Sequence, residues 1–197
     1  MPSSVRRGLR LGRHVMRGGQ ASAWIPPELL SDCRVCASRD HLVALLPHGG
    51  RVAEVGTASG SFARHILATC EPAELHVIDI DLSQLAETVA TDPKVRIHEG
   101  LSHQVLEQFP DSYFDWVYID ADHSNIGVLR DAEVAALKVK PGGYLVFNDF
   151  AHVDPFLGTY GVHRAVVSFA TSHAWSFAWI AYDPNALYDV ALRRPSA

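Results

Sequence analysis

The stretch Arg51-Val-Ala-Glu-Val-Gly-Thr-Ala-Ser-Gly-Ser61 limits the possible folds more than any other part of the chain. Val52, Ala53 and Val55 are small or β-branched, which suits a strand covered on both faces. Gly56 and Gly60 bracket a turn. Phe62, Ile66 and Leu67 then recur at helical spacing, which predicts a helix over 61–69. A strand that passes through a glycine turn into a helix leaves backbone N–H groups pointing at whatever sits above the sheet. Glycines there let a ligand approach the backbone closely. The pattern is Glu54-x-Gly56-x-x-x-Gly60, which departs from the G-x-G-x-x-G of dinucleotide turns.

Downstream, the signals alternate between strand and helix. Glu74-Leu-His-Val-Ile-Asp-Ile-Asp81 reads as a second strand ending in acids. In nucleotide-binding α/β folds an acid at this strand end accepts from ribose hydroxyls. Asp79 is the candidate and Asp81 its competitor. Asp81 or Ser83 is expected to cap the next helix. Val95–Glu99 is a third strand, followed by Gly100-Leu-Ser102. The fourth, Phe114–Ile119, ends in Asp120-Ala-Asp-His123, and Ile126, Val128, Leu129, Val134 and Leu137 mark the helix after it. Lys140-Pro-Gly-Gly143 makes a turn, and the fifth strand, Tyr144–Phe147, ends in Asn148-Asp149. A helix over 161–169 and strands over 176–182 and 187–192 follow. Ligands of open parallel sheets bind above the carboxyl ends of the strands. Gly56, Asp79, Ser102, Asp120, Asn148 and Asp149 all fall at such ends.

Ahead of the glycine turn, residues 26–47 read as a helix-rich preface. Pro26-Pro27 opens it, and Leu29, Leu30, Cys33, Cys36, Leu42 and Leu45 form an apolar stripe. Cys33-Arg-Val-Cys36 lacks two further ligands at zinc spacing, so both thiols are expected on one helix face. Residues 1–20 carry Arg6, Arg7, Arg10, Arg13 and Arg17 and no acid. They are expected to form a basic flexible arm before one domain over 21–197, with its preface at 21–50 and its core at 51–197. A solvated arm, an arm packed on an acidic partner subunit as in a homodimer, a stretch touching RNA or lipid, and a transit peptide all share this composition. The net charge of −5 argues against a nucleic-acid partner for the body. No apolar run is long enough to span a bilayer. Three sparse cysteines fit a reducing cytoplasm.

These motifs resemble those of class I S-adenosylmethionine-dependent methyltransferases. The run of strand, Asp-Ala-Asp-His, helix, Pro-Gly-Gly, strand and Asn-Asp closely resembles a bacterial small-molecule O-methyltransferase subgroup related to the catechol-type and macrolide-sugar enzymes. The resemblance covers the chain from the preface to the end. It implies a Rossmann-like three-layer α/β sandwich, with a seven-stranded, mostly parallel sheet whose last strand is antiparallel. It implies S-adenosylmethionine as cofactor, held by Glu54, Gly56, Thr57, Gly60, Ser61, Asp79, Ser102 and Asp122. In the family the acid before the turn lies near the cofactor's charged amino end, and the acid ending the second strand takes the ribose. The chain departs from the family pattern at Ala58, where a middle glycine is common, and at Leu101, where an acid often reaches the adenine amine. Asn148-Asp149 stands where Asp-Asn or Asp-Asp is usual.

The implied reaction is in-line transfer of a methyl group to an oxygen of a small molecule. An alcohol or phenol must lose its proton to react, by metal activation or to a general base. Asp120, Asn148 and Asp149 form an all-oxygen set suited to Mg²⁺ or Ca²⁺ better than to zinc; the alternative is three polar strand-end residues without metal. His123 matches the position of a proposed base in the macrolide-sugar relatives, and histidine is the natural base near neutral pH. The alternative is a surface loop histidine. Asp120 and His123 are thus the candidate catalytic pair. Other functions compatible with the chain are a non-catalytic adenosyl-cofactor-binding protein and an RNA methyltransferase using the basic arm. A nicotinamide oxidoreductase is opposed by the glycine spacing and the terminal strand pair. Trp24, Phe150, Phe156 and Tyr160 could serve equally as pocket or as core.

Overall fold

A computed structural model describes residues 23–151, 153–154, 158–184 and 188–196; the basic arm and Phe156 lie outside these. The glycine-turn strand, β2 (Arg51–Val55), is the hub of the sheet. It pairs in parallel with β3 (Glu74–Asp79) on one side and β5 (Phe114–Ile119) on the other. β4 (Val95–Glu99) adds beyond β3, and β6 (Val139–Phe147) adds beyond β5, both parallel. β10 (Asp189–Arg193) then inserts antiparallel between β6 and β9 (Ser176–Ala181). β1 (Arg34–Cys36) forms the far edge, parallel to β9. The sheet has eight strands, in the order β1-β9-β10-β6-β5-β2-β3-β4. A separate pair, β7 (Val153–Asp154) and β8 (Gly158–Thr159), stands apart from it.

Helices cover both faces, which gives the expected three layers. α1 (Arg39–Leu45), α2 (Ser61–Cys70) and α3 (Glu87–Ala90) bury Val52, Leu75, Val77, Trp116, Tyr118 and Val146 on one face. α4 (Ser102–Glu107), α5 (Asn125–Lys138) and α6 (Val162–His173) bury Phe114, Val117, Leu145, Phe147 and Phe169 on the other. Covering on both faces explains why the central strands read as apolar runs and not as alternating patterns. Each large side chain fully buried there contributes on the order of 1.5–3 kcal/mol. Trp116 also satisfies its indole N–H, which donates to the Pro47 carbonyl at 3.0 Å.

The structure corrects the expectations in three places. The preface is helical at Pro27–Leu30 and at Arg39–Leu45, but a short strand stands between the two helices. Pro26-Pro27 permits only a single 3₁₀ turn at Pro27–Leu30, and Arg34-Val-Cys36 then joins the open edge of β9 as an eighth strand. The two thiols therefore do not share a helix face. Cys36 is buried in the edge strand and Cys33 precedes it; both are free. Neither Asp81 nor Ser83 caps a helix, because α3 starts only at Glu87, after an Ala86 N-cap with no side-chain bond. Asp81 instead closes a local turn, its Oδ1 accepting from the Ser83 N–H at 2.9 Å. Lastly, β6 begins at Val139, earlier than expected. Lys140-Pro-Gly-Gly143 is taken into the strand with a register irregularity against β5.

No helix among the described residues is long and apolar enough to cross a membrane.

Candidate active site

Four backbone bonds line up the carboxyl ends of the parallel strands. Gly56 N donates to Ile78 O, Gly100 N to Asp79 O, Asp120 N to Val55 O and Asn148 N to Ile119 O, at 2.7–3.0 Å. Residues far apart in sequence thereby meet at one end of the sheet, Gly56, Asp79, Asp120 and Asn148 among them.

The glycine turn is built with left-handed backbone at three positions: Gly56 (φ 89°), Ala58 (φ 48°) and Gly60 (φ 78°). Gly60 caps α2, and Ser61 opens it at the surface. Both Asp79 oxygens support this turn and the loop after β3. Oδ2 accepts from the Ala58 N–H at 2.7 Å and Oδ1 from the Asp81 N–H at 3.2 Å. Each oxygen keeps a second lone-pair site, so a ribose hydroxyl can still donate to it.

Glu54 lies beneath the turn, 2% exposed. Its Oε2 is buried and has no hydrogen-bond partner among the described residues. Burial pushes the carboxyl up to about 8; the Thr57 hydrogen bond and Arg39 oppose this, while Asp120 and Asp79 add to it. Thr57 is itself buried, its hydroxyl donating to the Glu54 carbonyl at 3.3 Å. An orphaned buried acid beneath a glycine cradle fits the ammonium end of an adenosyl-amino-acid cofactor.

Ser102 is engaged elsewhere. Its hydroxyl donates to Asp131 Oδ1 of α5 at 2.6 Å, and Asp131 is 2% exposed. Asp122 is exposed, and its Oδ1 accepts from the Ser124 N–H at 2.8 Å, which shapes the entry to α5.

The three residues expected to hold a cation do converge, but on His123. Its Nε2 lies 3.3 Å from Asp120 Oδ1 and 3.7 Å from Asp149 Oδ2, buried between the two carboxylates and aligned with neither. The Asn148 carboxamide also reaches the ring. The Asp120 carboxylate so close to Nε2 raises the imidazole's pKa above its ordinary value; burial opposes this, and Asp149 reinforces it. The ring stacks on Tyr160, with centroids 4.7 Å apart. His123 is therefore a held, half-buried side chain and not a free loop histidine.

Sequence reasoning missed Arg39, Tyr118 and Asp189. Ser38 caps α1, its side chain accepting from the His41 N–H, and so sets Arg39 at the helix start. The Arg39 Nε donates to Tyr118 Oη at 2.6 Å and to Asp189 Oδ2 at 3.0 Å, and its Nη2 donates to Asp120 Oδ2 at 3.2 Å. Tyr118 Oη donates to Asp189 Oδ2 and accepts from Asn148 Nδ2 at 3.2 Å. Nothing in the sequence links positions 39, 118 and 189. The only local signal is the capping serine beside the arginine.

As arranged, Asp120, Asn148 and Asp149 do not fit a Mg²⁺ site. Mg²⁺ demands octahedral oxygens at about 2.0–2.1 Å. Here one Asp120 oxygen faces a guanidinium and the other an imidazole, and the Asn148 amide is turned onto Tyr118. Among the described residues, no group of three or more His, Cys, Asp or Glu side chains is placed to hold a metal.

A cleft of about 600 Å³ lies alongside, lined by Ala23, Trp24, Ile25, Leu30 and His163. Phe150, next to Asp149, packs on His163 with centroids 4.7 Å apart. Of the aromatic residues considered from sequence, Phe150 is core at 6% exposure, and Trp24 is 95% exposed at the cleft.

Residues 53–150 match the profile of a methyltransferase domain. No curated protein sequence matches the chain. Among solved structures, an O-methyltransferase family protein from Burkholderia thailandensis aligns with a TM-score of 0.63 at 14% identity, over 80% of this chain and 55% of that one. A SAM-dependent methyltransferase from Aquifex aeolicus aligns at 0.61 and 16%, over 85% of this chain and 93% of that one. A protein described as a hemolysin, from Lactococcus lactis, aligns at 0.62 and 18%, over 78% and 82%. The chain thus spans little more than half of the Burkholderia protein. At these identities the likeness is one of fold.

Proposed function

Because this chain carries the domain of S-adenosylmethionine-dependent methyltransferases over residues 53–150, we propose that it transfers a methyl group to a hydroxyl oxygen of a small molecule. The observation that carries this reading is the Asp120–His123 pair at the end of β5, immediately against the glycine turn. The Gly56 α-carbon packs on the Asp120 backbone so closely that an added Cβ would lie 2.1 Å from its carbonyl oxygen. A base held there is beside the cofactor's binding turn.

When bound, S-adenosylmethionine supplies an electrophilic methyl on its sulfonium. Glu54, Gly56, Thr57 and Gly60 would hold the amino-acid end, with Ser61 opening the helix behind it. Asp79 would take the ribose hydroxyls. Ile80 and Leu101, just past the ends of β3 and β4, expose apolar side chains, at 66% and 44%, that would offer surface to the adenine. Ser102 and Asp122 act from behind, through Asp131 and through the start of α5. Asp120 holds the Nε2 side of His123 and leaves Nδ1 to take the acceptor's hydroxyl proton. The oxygen so freed would stand ready to take the methyl from the cofactor's sulfonium, whose S–C electron pair would remain on sulfur. The open cleft lined by Ala23, Trp24, Ile25 and Leu30 would favour an acceptor with apolar surface.

The test has two parts: calorimetry with S-adenosylhomocysteine, and incubation of labelled cofactor with a panel of alcohols and phenols, with products assigned by mass spectrometry and NMR. Label found on nitrogen or carbon, or in no product although the cofactor binds, would overturn oxygen transfer.

A further inference from the structure

Where oxygen methylation depends on a divalent cation, the cation neutralises a cluster of acids and fixes the group that meets the acceptor. In this chain the same work has a side-chain solution. Asp120, Asp149 and Asp189 bring three carboxylates to the strand ends. Arg39 reaches them from α1, outside the matched domain. It spans Asp120 Oδ2 at 3.2 Å and Asp189 Oδ2 at 3.0 Å. It is locked from the other side by Phe62, whose ring centroid lies 4.4 Å from the guanidinium carbon, and by Tyr118 at 5.3 Å. A planar fork clamped by two acids, a phenol and an aromatic face has little freedom to leave. With Oδ2 held by Arg39, Asp120 has Oδ1 free to face His123.

We propose that Arg39 is a positioning residue that takes the place of a divalent cation: it holds Asp120 so that Asp120 orients His123, and methyl transfer by this chain runs without metal. The proposal rests on the methyltransferase reading for its chemistry, but the cation balance is a property of the protein alone. Arg39 acts through Asp120, and its guanidinium opposes part of the pull that Asp120 exerts on the imidazole.

The experiment uses the full chain and three readouts. The first is Mn²⁺ uptake, followed by the loss of the free-ion EPR signal. Wild type is expected to take up none, and its turnover is expected to be unchanged by EDTA. The second is NMR titration of His123 in wild type and in Arg39→Met and Arg39→Lys. Arg39→Met should move the His123 ionisation upward, because Asp120 loses its other cation, and Arg39→Lys should restore part of that shift. The third is kinetics. Arg39→Met should lower kcat by about 10- to 100-fold, the usual cost of losing an outer partner that orients a site group, with the dissociation constant for S-adenosylhomocysteine little changed when measured above pH 8, where Glu54 is ionised. One Mn²⁺ per wild-type chain, abolished by Asp120→Asn, would overturn the proposal; so would an unmoved His123 titration in a folded Arg39→Met. If Arg39→Met does not fold, the wild-type Mn²⁺ result and the Arg39→Lys titration decide. Failure to bind S-adenosylhomocysteine would sink the enzymatic reading but would leave the metal and NMR outcomes interpretable.

Discussion

Gly56 and Asp120 are in backbone contact across two parallel strands: a Cβ on Gly56 would stand 2.1 Å from the Asp120 carbonyl oxygen and 2.8 Å from the Ala121 α-carbon. Backbone cannot swing aside as a long side chain can. Gly56 also sits at φ 89°, a region disfavoured for any residue with a Cβ. Gly56→Ala should therefore cost about 2–4 kcal/mol, combining overpacking with left-handed strain. It should also displace Asp120 and its partners from the turn. Denaturant unfolding checks the first effect and calorimetry with S-adenosylhomocysteine the second. A variant as stable and as tightly binding as wild type would refute the contact.

Ala58 poses the opposite case. It holds φ 48° without being glycine, with its N–H bound to Asp79. Ala58→Gly should stabilise the protein by roughly 0.5–1 kcal/mol, strain relief outweighing the entropy gained by the unfolded chain. The readout is a rise in the denaturation midpoint.

Glu54 should couple cofactor binding to proton release. Its carboxyl is pushed up to about 8 by burial, so at pH 7 it is mainly protonated before binding. A cationic amine placed against it lowers that value and expels the proton. Affinity should then rise with pH, approaching tenfold per unit below 8 and levelling above it. Calorimetry at pH 7 in two buffers of different ionisation enthalpy should show nearly one proton released, and Glu54→Gln should show none from this group.

His123 must be neutral to accept a proton, and Asp120 raises its pKa. The rate should climb with pH through a single ionisation whose midpoint lies above the ordinary histidine value of about 6.5, then level off. His123→Ala should lower kcat by about 10² to 10⁴ and scarcely change cofactor affinity. Single-turnover methyl transfer across pH is the measurement. An unchanged profile in His123→Ala would remove the base assignment.

Far from the cleft, His76 predicts acid sensitivity. It is 5% exposed, packed edge-on against Phe109, Tyr113 and Phe114, and 3.0 Å from His98. Burial, with His98 beside it, lowers its pKa to about 4. The unfolded chain would protonate it near 6.5. Between these values only the unfolded state takes the proton, so stability is full above 6.5 and falls as pH drops toward 4, by about 3 kcal/mol in all. Urea midpoints at pH 7 and pH 5 test this, and the slope should shrink in His76→Phe.

The parallel core was legible because strands covered on both faces leave unbroken apolar runs, and because glycines and acids mark their ends. β2 to β5 fall where those runs predict them. The edge strand β1 was not legible. Three residues have no period of their own, and Arg34-Val-Cys36 is a strand only because β9 offers it an open edge. The cofactor-side residues could be named because each stands at a motif position. The Arg39 network could not, since its members come from α1, β5, the residues just past β5 and β6, and β10, and meet only through the topology. The metal expectation followed from residue types. It could not foresee that a guanidinium and an imidazole already face the acid's two oxygens.

The insertion of β10 between β6 and β9 has a consequence for the order in which the molecule can be completed during translation. Arg39 is made well before Asp189, yet they are partners. Before residues 189–193 emerge from the ribosome, β9 and the β1 edge have no bridge to the parallel strands, and the nascent sheet ends at an open β6. Vectorial synthesis can settle β2 to β6 as a unit. The guanidinium, however, must wait for the closing strand to gain its second acid, so a ribosome stalled short of β10 would hold a chain with a formed glycine turn and an unfinished clamp.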